Sequence, residues 1–134
     1  MLTLKKELLN RLIGQCQEEF PNEACGILAG RDNIAQKIYP LNNISDNPKL
    51  CYLIDSKEQL TIFKQLRNEN LEMLAIFHSH IDVVAYPSKR DVELAFYPDT
   101  SYIIVSLASL RPPVARSFRI SEGKISEEEL VTVE

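Results

Sequence analysis

Segments of helical periodicity alternate along this chain with short apolar runs of strand character. In the first segment, Leu4, Leu8 and Leu12 recur every fourth residue, which is typical of an amphipathic helix. Helices are predicted over 2–19, from an N-cap at Asp55 through 66, and over 88–96. Strands are predicted over 24–30, 33–41, 51–54, 71–77 and 101–107, over 114–120 as an edge or half-exposed strand, and as a last strand after a turn at Glu122 and Gly123. The alternation predicts an α/β or α+β fold with one mixed sheet flanked by helices.

Length and composition limit the class of protein. A chain of 134 residues is the size of one ordinary domain and needs no disulfides to fold, so we expect one domain over 1–134. The net charge of −4 disfavours nonspecific binding to nucleic acid, which needs a basic face. The three cysteines form no Cys-x-x-Cys pair, and no segment resembles a membrane span or a signal peptide. We therefore expect a cytoplasmic protein with reduced thiols that binds neither nucleic acid nor membrane.

The only two histidines of the sequence, His78 and His80, directly follow the predicted strand 71–77. Side chains two residues apart in an extended segment point to the same side, so both imidazoles face one site. Ser88 and Asp91 complete the pattern His-x-His-x7-Ser-x2-Asp. Two imidazoles, one carboxylate and a water molecule would complete a tetrahedral zinc site with an open position, as catalytic zinc requires. The pattern predicts one Zn²⁺ per chain, held by His78, His80 and Asp91.

Hydrolysis at such a site needs two further groups. A base must take a proton from the attacking water, and a donor must stabilise the oxyanion that forms on the carbonyl. Glu23 is the candidate base and the Ser88 hydroxyl is the candidate donor. The segment 81–87 is predicted as a loop that joins the histidines to the helix beginning at Ser88.

Each part of this pattern has a simpler interpretation. A lone His-x-His at a strand end usually has no metal, and Ser-x-x-Asp is also a helix capping signal. The two interpretations of Ser88 and Asp91 are compatible, because a cap can present a ligand from the first helical turn. The joint four-residue pattern would arise by chance in on the order of one chain in a few thousand of this length, so we favour the metal site. Without further evidence, Glu23 would be a solvated carboxylate before a strand.

The segments HSHIDVVAYPSKRD (78–91) and FPNEACGILAG (20–30) resemble two motifs of a known family. They lie in the order along the chain that the family has, at a plausible distance from each other. The first is similar to the JAMM motif of the MPN+ (Mov34/PAD-1-like) zinc metallopeptidases, and the second is similar to the family's Glu-bearing segment. The resemblance extends over nearly the whole chain and is greatest to the short bacterial, Mec-type branch. It implies an MPN/JAB1-like (cytidine-deaminase-like) architecture, metal binding by His78, His80 and Asp91, a general base at Glu23, and transition-state stabilisation by Ser88.

The same resemblance implies a substrate class. Mec-type enzymes act on ubiquitin-like sulfur-carrier proteins, so we expect hydrolysis of a peptide or isopeptide bond at the C-terminal tail of such a protein. E1-like enzymes and enzymes of cysteine or thiamine biosynthesis are further expected partners. Many relatives carry Pro after the second histidine, where this chain has Ile81, and 81–86 is more apolar than expected. These departures concern the substrate groove and leave the ligands unchanged.

Two functions other than a peptidase are compatible with a metal-binding domain of this size: a protein-binding scaffold and a different metallohydrolase. An MPN-like protein-binding scaffold without catalysis would not need two histidines, an aspartate, a serine and a glutamate in register. A different metallohydrolase is the second alternative. A zinc deaminase would need His-x-Glu and Pro-Cys-x-x-Cys motifs, which the sequence lacks, and a two-metal phosphodiesterase would need more ligands than two histidines easily provide. Among the remaining residues, Cys25 is expected to be a small buried hydrophobe, and Tyr86 a groove or packing residue. Asp82 is expected to be a loop carboxylate, with a substitute metal ligand as the alternative and a substitute base if Glu23 is not the base. The acidic run 127–129 is expected to be solvated.

Overall fold

The protein is described by a computed structural model that covers residues 1–108 and 112–134. Three helices and eight strands form one layered arrangement. In chain order they are β1 (Leu2–Lys5), α1 (Lys6–Glu19), β2 (Cys25–Arg31), β3 (Ile34–Leu41), α2 (Ser56–Glu69), β4 (Glu72–His80), α3 (Lys89–Glu93), β5 (Ser101–Ser106), β6 (Val114–Ser121), β7 (Lys124–Glu128) and β8 (Leu130–Val133). Among the described residues, no helix has both the length and the apolar character needed to cross a membrane.

All eight strands belong to a single mixed sheet, which confirms the predicted fold class. Their order is β7-β6-β5-β4-β2-β3-β1-β8. The pair β4 and β5 and both partners of β1 are parallel, and the other pairs are antiparallel. The edge strands β7 and β8 are separated in the chain by Glu129 alone. The sheet must therefore curl enough for the end of β7 and the start of β8 to meet at Glu129.

The two faces of the sheet carry different layers. On one face, α1 buries Leu8, Leu12 and Cys16 against a purely apolar cluster. On the other face, α2 and the segment that follows β4 cover a second cluster, which contains Tyr52 and Phe118. Alternation along β4 directs Phe77 to the first face and Ile76 to the second. His78 and His80 share the parity of Ile76 and lie on the second face.

Local sequence determines where several elements end. Asp32 and Asn33 both have positive φ values, of 54° and 61°, which a two-residue hairpin turn between β2 and β3 requires. Asp55 caps α2 by accepting a hydrogen bond from the Lys57 N–H, as predicted. Asn70, at φ 57° and ψ 43°, ends the same helix in the left-handed conformation. Glu58 does not complete a capping box, because its carboxylate instead accepts hydrogen bonds from the backbone and side chain of Asn42.

The first predicted helix begins later than expected. Residues 2–5 form β1, with Leu2 and Leu4 buried and the intervening residues more exposed. Leu4 and Leu8 fit both a helical and an alternating pattern, so periodicity alone could not separate the strand from the helix. Pairing of β1 with β3 and β8 decides in favour of the strand.

Four other predicted elements differ from the structure. The segment 51–54 forms only one isolated bridge, between Asn43 and Ile54. The helix predicted over 88–96 ends at Glu93. The strand β6 is half-exposed, which is one of its two predicted forms, but it does not lie at an edge, because β7 pairs along its outer side. The segment after Gly123 forms two strands at opposite edges of the sheet instead of one.

Candidate metal centre

The two histidines lie inside the sheet instead of following a strand. β4 extends to His80, and its neighbours β2 and β5 place Cys25 and Ile104 beside His78. Both side chains are buried, with 1% of His78 and 2% of His80 exposed. Hydrogen bonding on both sides of β4 fixes the backbone from which the imidazoles project. Their Nε2 atoms lie 3.2 Å apart.

The first turn of α3 brings Asp91 to the histidines. Ser88 and Asp91 form a reciprocal capping box: the Ser88 hydroxyl accepts from the Asp91 N–H at 3.1 Å, and Asp91 Oδ2 accepts from the Ser88 N–H at 2.9 Å. The carboxylate of Asp91 spans both imidazoles, with Oδ1 3.2 Å from His78 Nε2 and Oδ2 2.9 Å from His80 Nε2. The capping role and the placement of a ligand therefore coincide in one residue.

The surroundings of each histidine select its protonation. His80 Nδ1 lies 2.8 Å from the Val84 carbonyl oxygen, which can only accept, so Nδ1 carries a proton. Nε2 faces Asp91, to which it donates when protonated, and its lone pair is available to a metal ion once that proton leaves. The ring of Tyr52 stacks on His78 with centroids 4.4 Å apart. Burial lowers the pKa of His78, although Asp91 opposes the shift. Burial also acts to lower the pKa of His80, but Asp91 and the Val84 carbonyl outweigh it and raise that pKa.

The pKa of Asp91 lies well below its usual range. Burial opposes this shift, but hydrogen bonds from His78 and His80 and the Ser88 N–H outweigh it. Asp91 is thus a carboxylate at neutral pH. Its negative charge is stabilised by the two imidazoles, which donate hydrogen bonds to it. A cation can take over that role by binding the same Nε2 and carboxylate atoms.

The distances between donor atoms fit a metal ion. One ligand atom from each of His78, His80 and Asp91 lies within 4.8 Å of the others, and all three residues are buried. Tetrahedral zinc with bonds of about 2.0–2.1 Å would hold its ligand atoms about 3.3 Å apart. The two Nε2 atoms are 3.2 Å apart, and each lies 2.9–3.2 Å from a different oxygen of the Asp91 carboxylate, which is close to that value. The group can therefore hold a metal ion.

Glu23 reaches the site through strand pairing. The antiparallel register that pairs Cys25 with His78 continues past the end of β2, so Glu23 lies across from His80 and on the same side as Cys25. Ala24 is held to β4 on both sides: its N–H donates to Ser79 Oγ at 2.8 Å, and its carbonyl accepts from the Ser79 N–H at 3.1 Å. Strand pairing thus joins residues that the sequence separates by 55 positions.

The Glu23 carboxyl is buried, and one of its oxygens is unpaired in the described part of the chain. It is 5% exposed, and its Oε1 atom has no hydrogen-bond partner among the described residues. Burial, with a contribution from the nearby Asp91 carboxylate, raises the pKa of Glu23 to about 8, and His80 opposes the shift. A buried, unpaired carboxyl beside a candidate metal centre is an arrangement that folding alone does not favour.

Ser88 differs from the other four residues because its side chain is exposed. Its oxygen accepts the Asp91 N–H, so the hydroxyl proton remains available to another acceptor. All five predicted site residues are therefore adjacent: Glu23, His78, His80 and Asp91 in a buried group, and Ser88 at its rim.

The sequence did not identify the residues that support this group. Tyr52 and Val84 contact the two histidines, and Asn43 and Ser79 contact the segment of Glu23. Only Ser79 offered a signal, through its position between the histidines. The others lie in loops whose contacts depend on chain segments brought together by the sheet.

The remaining expectations have mixed outcomes. Cys25 is buried, and burial raises the pKa of its thiol to about 12, which fits a small hydrophobe and not a nucleophile. Tyr86 is 46% exposed and packs edge-on against Phe118. The expectation of a wholly solvated acidic run is wrong for Glu128, whose side chain is only 9% exposed because it accepts hydrogen bonds from Ser101 and Ser117.

Comparison with known proteins establishes the family. A family model described as prokaryotic homologues of the JAB domain matches residues 5–121. The chain belongs to this family. As a JAB domain it resembles the CysO-cysteine peptidase of Mycobacterium tuberculosis, with 34% identity over all of this chain and 92% of that protein. It also resembles a probable TtuB-protein conjugate cleaving protease of Thermus thermophilus, with 32% identity over 92% of this chain and 79% of that protein.

Solved structures agree with this assignment. The solution structure of a Desulfitobacterium hafniense protein, at 40% identity, has a TM-score of 0.90 and covers all of this chain and 94% of that one. A JAB1/MPN domain protein from Archaeoglobus fulgidus has a TM-score of 0.68 at 17% identity, with 98% and 97% of the two chains covered, and supports the fold alone. These similarities confirm a short bacterial JAMM (MPN+) domain of JAB1/MPN-like fold. The JAB domain is a hydrolase, as predicted.

Proposed function

We propose that this JAB domain is a zinc peptidase that hydrolyses the peptide or isopeptide bond at the C-terminal tail of a small ubiquitin-like sulfur-carrier protein. The observation that carries the proposal is the buried group of His78, His80 and Asp91, beside which a Glu23 carboxyl oxygen is unpaired. The names of the Mycobacterium and Thermus relatives, a CysO-cysteine peptidase and a TtuB-conjugate protease, support the substrate class.

The donor set supports zinc as the metal. Two neutral imidazoles and one carboxylate, at separations near those of a tetrahedral site, match the three-ligand catalytic type. The hydrogen bond between His80 Nδ1 and the Val84 carbonyl orients that ligand, as outer partners do in other zinc sites. Zinc held by these residues supplies Lewis acidity, which activates a water molecule for attack on a carbonyl carbon at neutral pH.

The protein's own groups then move the protons. Glu23 takes a proton from the attacking water as the new carbon–oxygen bond forms, and it returns that proton to the amine nitrogen as the carbon–nitrogen bond breaks. The raised pKa of the buried carboxyl suits a group that must both accept and release a proton near neutral pH. The Ser88 hydroxyl lies at the rim of the site and donates a hydrogen bond to the developing oxyanion.

Two segments flank the candidate centre and would contact the substrate tail. Tyr52, in the segment 51–54, stacks on His78, and Val84, in the loop 81–87, accepts from His80. Each segment also exposes an apolar side chain, 40% of Leu53 and 69% of Val84. A glycine-rich tail lying between them as an added strand would gain main-chain hydrogen bonds and reach the metal.

The setting of this reaction is part of the proposal. A sulfur-carrier substrate implies an E1-like enzyme and enzymes of cysteine or thiamine biosynthesis as further partners. The free thiols of Cys16, Cys25 and Cys51 suit the reducing cytoplasm. We propose that 1–134 functions there as one domain.

The test is cleavage of two carrier-protein substrates, one bearing a C-terminal cysteine and one linked to a lysine side chain. With about one zinc bound per chain, mass spectrometry should show release directly after the carrier tail in at least one of them. A carrier with valine in place of its last glycines is the matched control and should resist cleavage, because a narrow groove excludes side chains. Zinc-loaded protein that cleaves neither substrate, or protein that binds no zinc on titration, would contradict the proposal.

A further inference from the structure

The loop 42–54 between β3 and α2 is organised around one side chain. Asn43 donates through Nδ2 to the Glu23 carbonyl at 2.9 Å and to the Cys51 carbonyl at 3.1 Å. Its Oδ1 accepts from the Ser45 and Leu53 N–H groups, both at 3.0 Å. Two N–H donors and two lone pairs are the whole hydrogen-bonding capacity of an amide side chain. Asn43 thus uses all of it, and entirely on backbone groups.

The backbone of Glu23 depends on this loop. Glu23 precedes β2, which begins at Cys25, so its own N–H and carbonyl are not part of the sheet ladder, although its neighbour Ala24 is bonded to Ser79 of β4. Its N–H donates to the Pro48 carbonyl at 2.7 Å, and its own carbonyl accepts from Asn43. Both polar backbone groups of Glu23 are therefore bound by the loop 42–54. The side-chain contact from Asn43 is the one of the two that substitution can remove.

The same amide also fixes the residue that stacks on a histidine. The Cys51 carbonyl and the Leu53 N–H lie on either side of Tyr52, and Asn43 binds both. The Tyr52 ring in turn stacks on His78 at 4.4 Å. One side chain therefore links the backbone of Glu23 to the aromatic ring beside a candidate metal ligand.

We propose that Asn43 is a positioning residue that holds Glu23 and Tyr52 in register with the metal centre. The inference rests on the proposed role of Glu23 and goes beyond it, since Asn43 itself touches neither the reacting atoms nor a ligand. Its effect should be on turnover and not on metal content, because His78, His80 and Asp91 belong to β4 and α3. A displacement of about 1 Å in a catalytic group can cost on the order of a hundredfold in rate.

The most informative substitution is Asn43→Asp, which keeps the shape and the acceptor but removes both donors. It also places an oxygen opposite the Glu23 and Cys51 carbonyls, where Nδ2 now donates. We expect kcat to fall by about tenfold to a hundredfold, with zinc content unchanged and KM changed much less. Asn43→Ala removes all four hydrogen bonds without that repulsion and takes its place if the aspartate variant does not fold.

The neighbouring Asn42 provides a matched control. Its side chain is also an amide in the same loop, but Nδ2 donates to the Glu58 carboxylate and not to the segment of Glu23. Asn42→Ala should keep kcat within about twofold of the unaltered protein, since loss of an exposed hydrogen bond has a small effect. An equal loss of kcat in both variants would show a general effect of loosening the loop, and would overturn the specific role of Asn43.

A double-mutant cycle with Glu23→Gln separates positioning from general stability. If Asn43 acts through Glu23, then Asn43→Asp should cost little further activity once the base is gone. Losses that simply multiply would overturn the proposal, as would a folded, zinc-loaded Asn43→Asp protein with the kcat of the unaltered protein. Failure of the proposed function itself looks different, because the unaltered protein would then bind no zinc or cleave no carrier substrate.

Discussion

The two halves of the candidate site are built on different foundations. His78 and His80 project from an interior strand that is hydrogen bonded on both sides, and each is almost completely buried. Glu23 precedes its strand and is held by Pro48 and Asn43, both in a loop. The sheet thus fixes the histidines, and a loop fixes the proposed base.

This contrast suggests that metal binding and turnover depend on different parts of the fold. Strand geometry keeps the two imidazoles close together, and α3 supplies Asp91, so metal affinity should tolerate substitutions in the loop 42–54. The position of the base should not. Substitutions on β4 are therefore expected to abolish metal binding and activity together, and substitutions around Glu23 should reduce turnover in protein that still binds zinc.

The largest effect is expected from His80→Ala. It removes one ligand and the donor in the contact with Asp91, which leaves a buried carboxylate with fewer partners. Zinc content should fall well below one per chain and peptidase activity should fall to background. Metal analysis of protein purified without chelators or affinity-column metal provides the measurement. His80→Ala protein that keeps full zinc occupancy would show that the ligand set is different.

Glu23→Gln should give the next largest effect and tests the loop-held half alone. The amide has nearly the same shape but cannot accept a proton, so turnover should fall by at least about a hundredfold while zinc content is unchanged. The pH profile provides a second readout. Activity should decline as pH falls and the base becomes protonated, and this acidic limb should weaken in the variant.

If zinc-loaded Glu23→Gln cleaves carrier substrates at the rate of the unaltered protein, then Glu23 is not the base. Asp82 would be the next residue to replace. It is exposed in the loop 81–87, close in sequence to His80. Asp82→Asn in the otherwise unaltered protein is thus a matched control, for which we expect full turnover.

Ser88→Ala should have a mixed effect, because Ser88 belongs to both functions. Loss of one oxyanion donor reduces turnover by roughly a hundredfold, and loss of the cap on α3 destabilises the fold by about 1 kcal/mol. The Asp91 ligand should remain, since the Ser88 N–H that binds it comes from the backbone. Kinetic assays and thermal unfolding separate the two effects. A variant with lowered stability and full turnover would leave only the capping role.

The sequence predicted the sheet-borne part of the molecule better than the loop-borne part. The strand 71–77, its two histidines and the cap at Ser88 follow local rules of alternation and capping, and they lie close together in the chain. Pairing partners are not local. The alternating pattern of β6 fits an edge strand or a half-exposed interior strand equally well, and only its pairing with β7 decides for the second. The segment after Gly123 divides between both sheet edges because the sheet curls, and residue periodicity carries no information about that curvature.

Glu23 shows the same limit within the site. No spacing rule connects it to His78, and only the resemblance to a family suggested a role. The register of β2 against β4 provides the physical connection. Asn43 was predicted only as part of a loop, since an amide that binds four backbone groups has no sequence signature. Residues that act through backbone contacts across the fold are the ones that sequence reasoning misses.

The smallest effect on activity is expected from Glu128→Gln, which lies outside both halves of the site. Glu128 accepts a hydrogen bond from Ser101 at the start of β5, whereas the residue that pairs with His80 is Ser106 at the other end of that strand. Burial acts to raise its pKa, but hydrogen bonds from Ser101 and Ser117 outweigh burial and lower the pKa below the ordinary 4.5. A carboxylate whose pKa is lower in the folded state stabilises the fold above the ordinary pKa, and this stabilisation is lost as pH falls through the folded-state value.

The Glu128→Gln variant should therefore lose about 1–2 kcal/mol of unfolding free energy near pH 7, with turnover per folded molecule unchanged. Because only the unaltered protein loses this contribution in acid, the difference between the two proteins should shrink below about pH 4.5. Urea unfolding of both proteins at neutral and acidic pH measures this difference in unfolding free energy. A difference that stays constant over that range would show that the charge of Glu128 does not stabilise the fold.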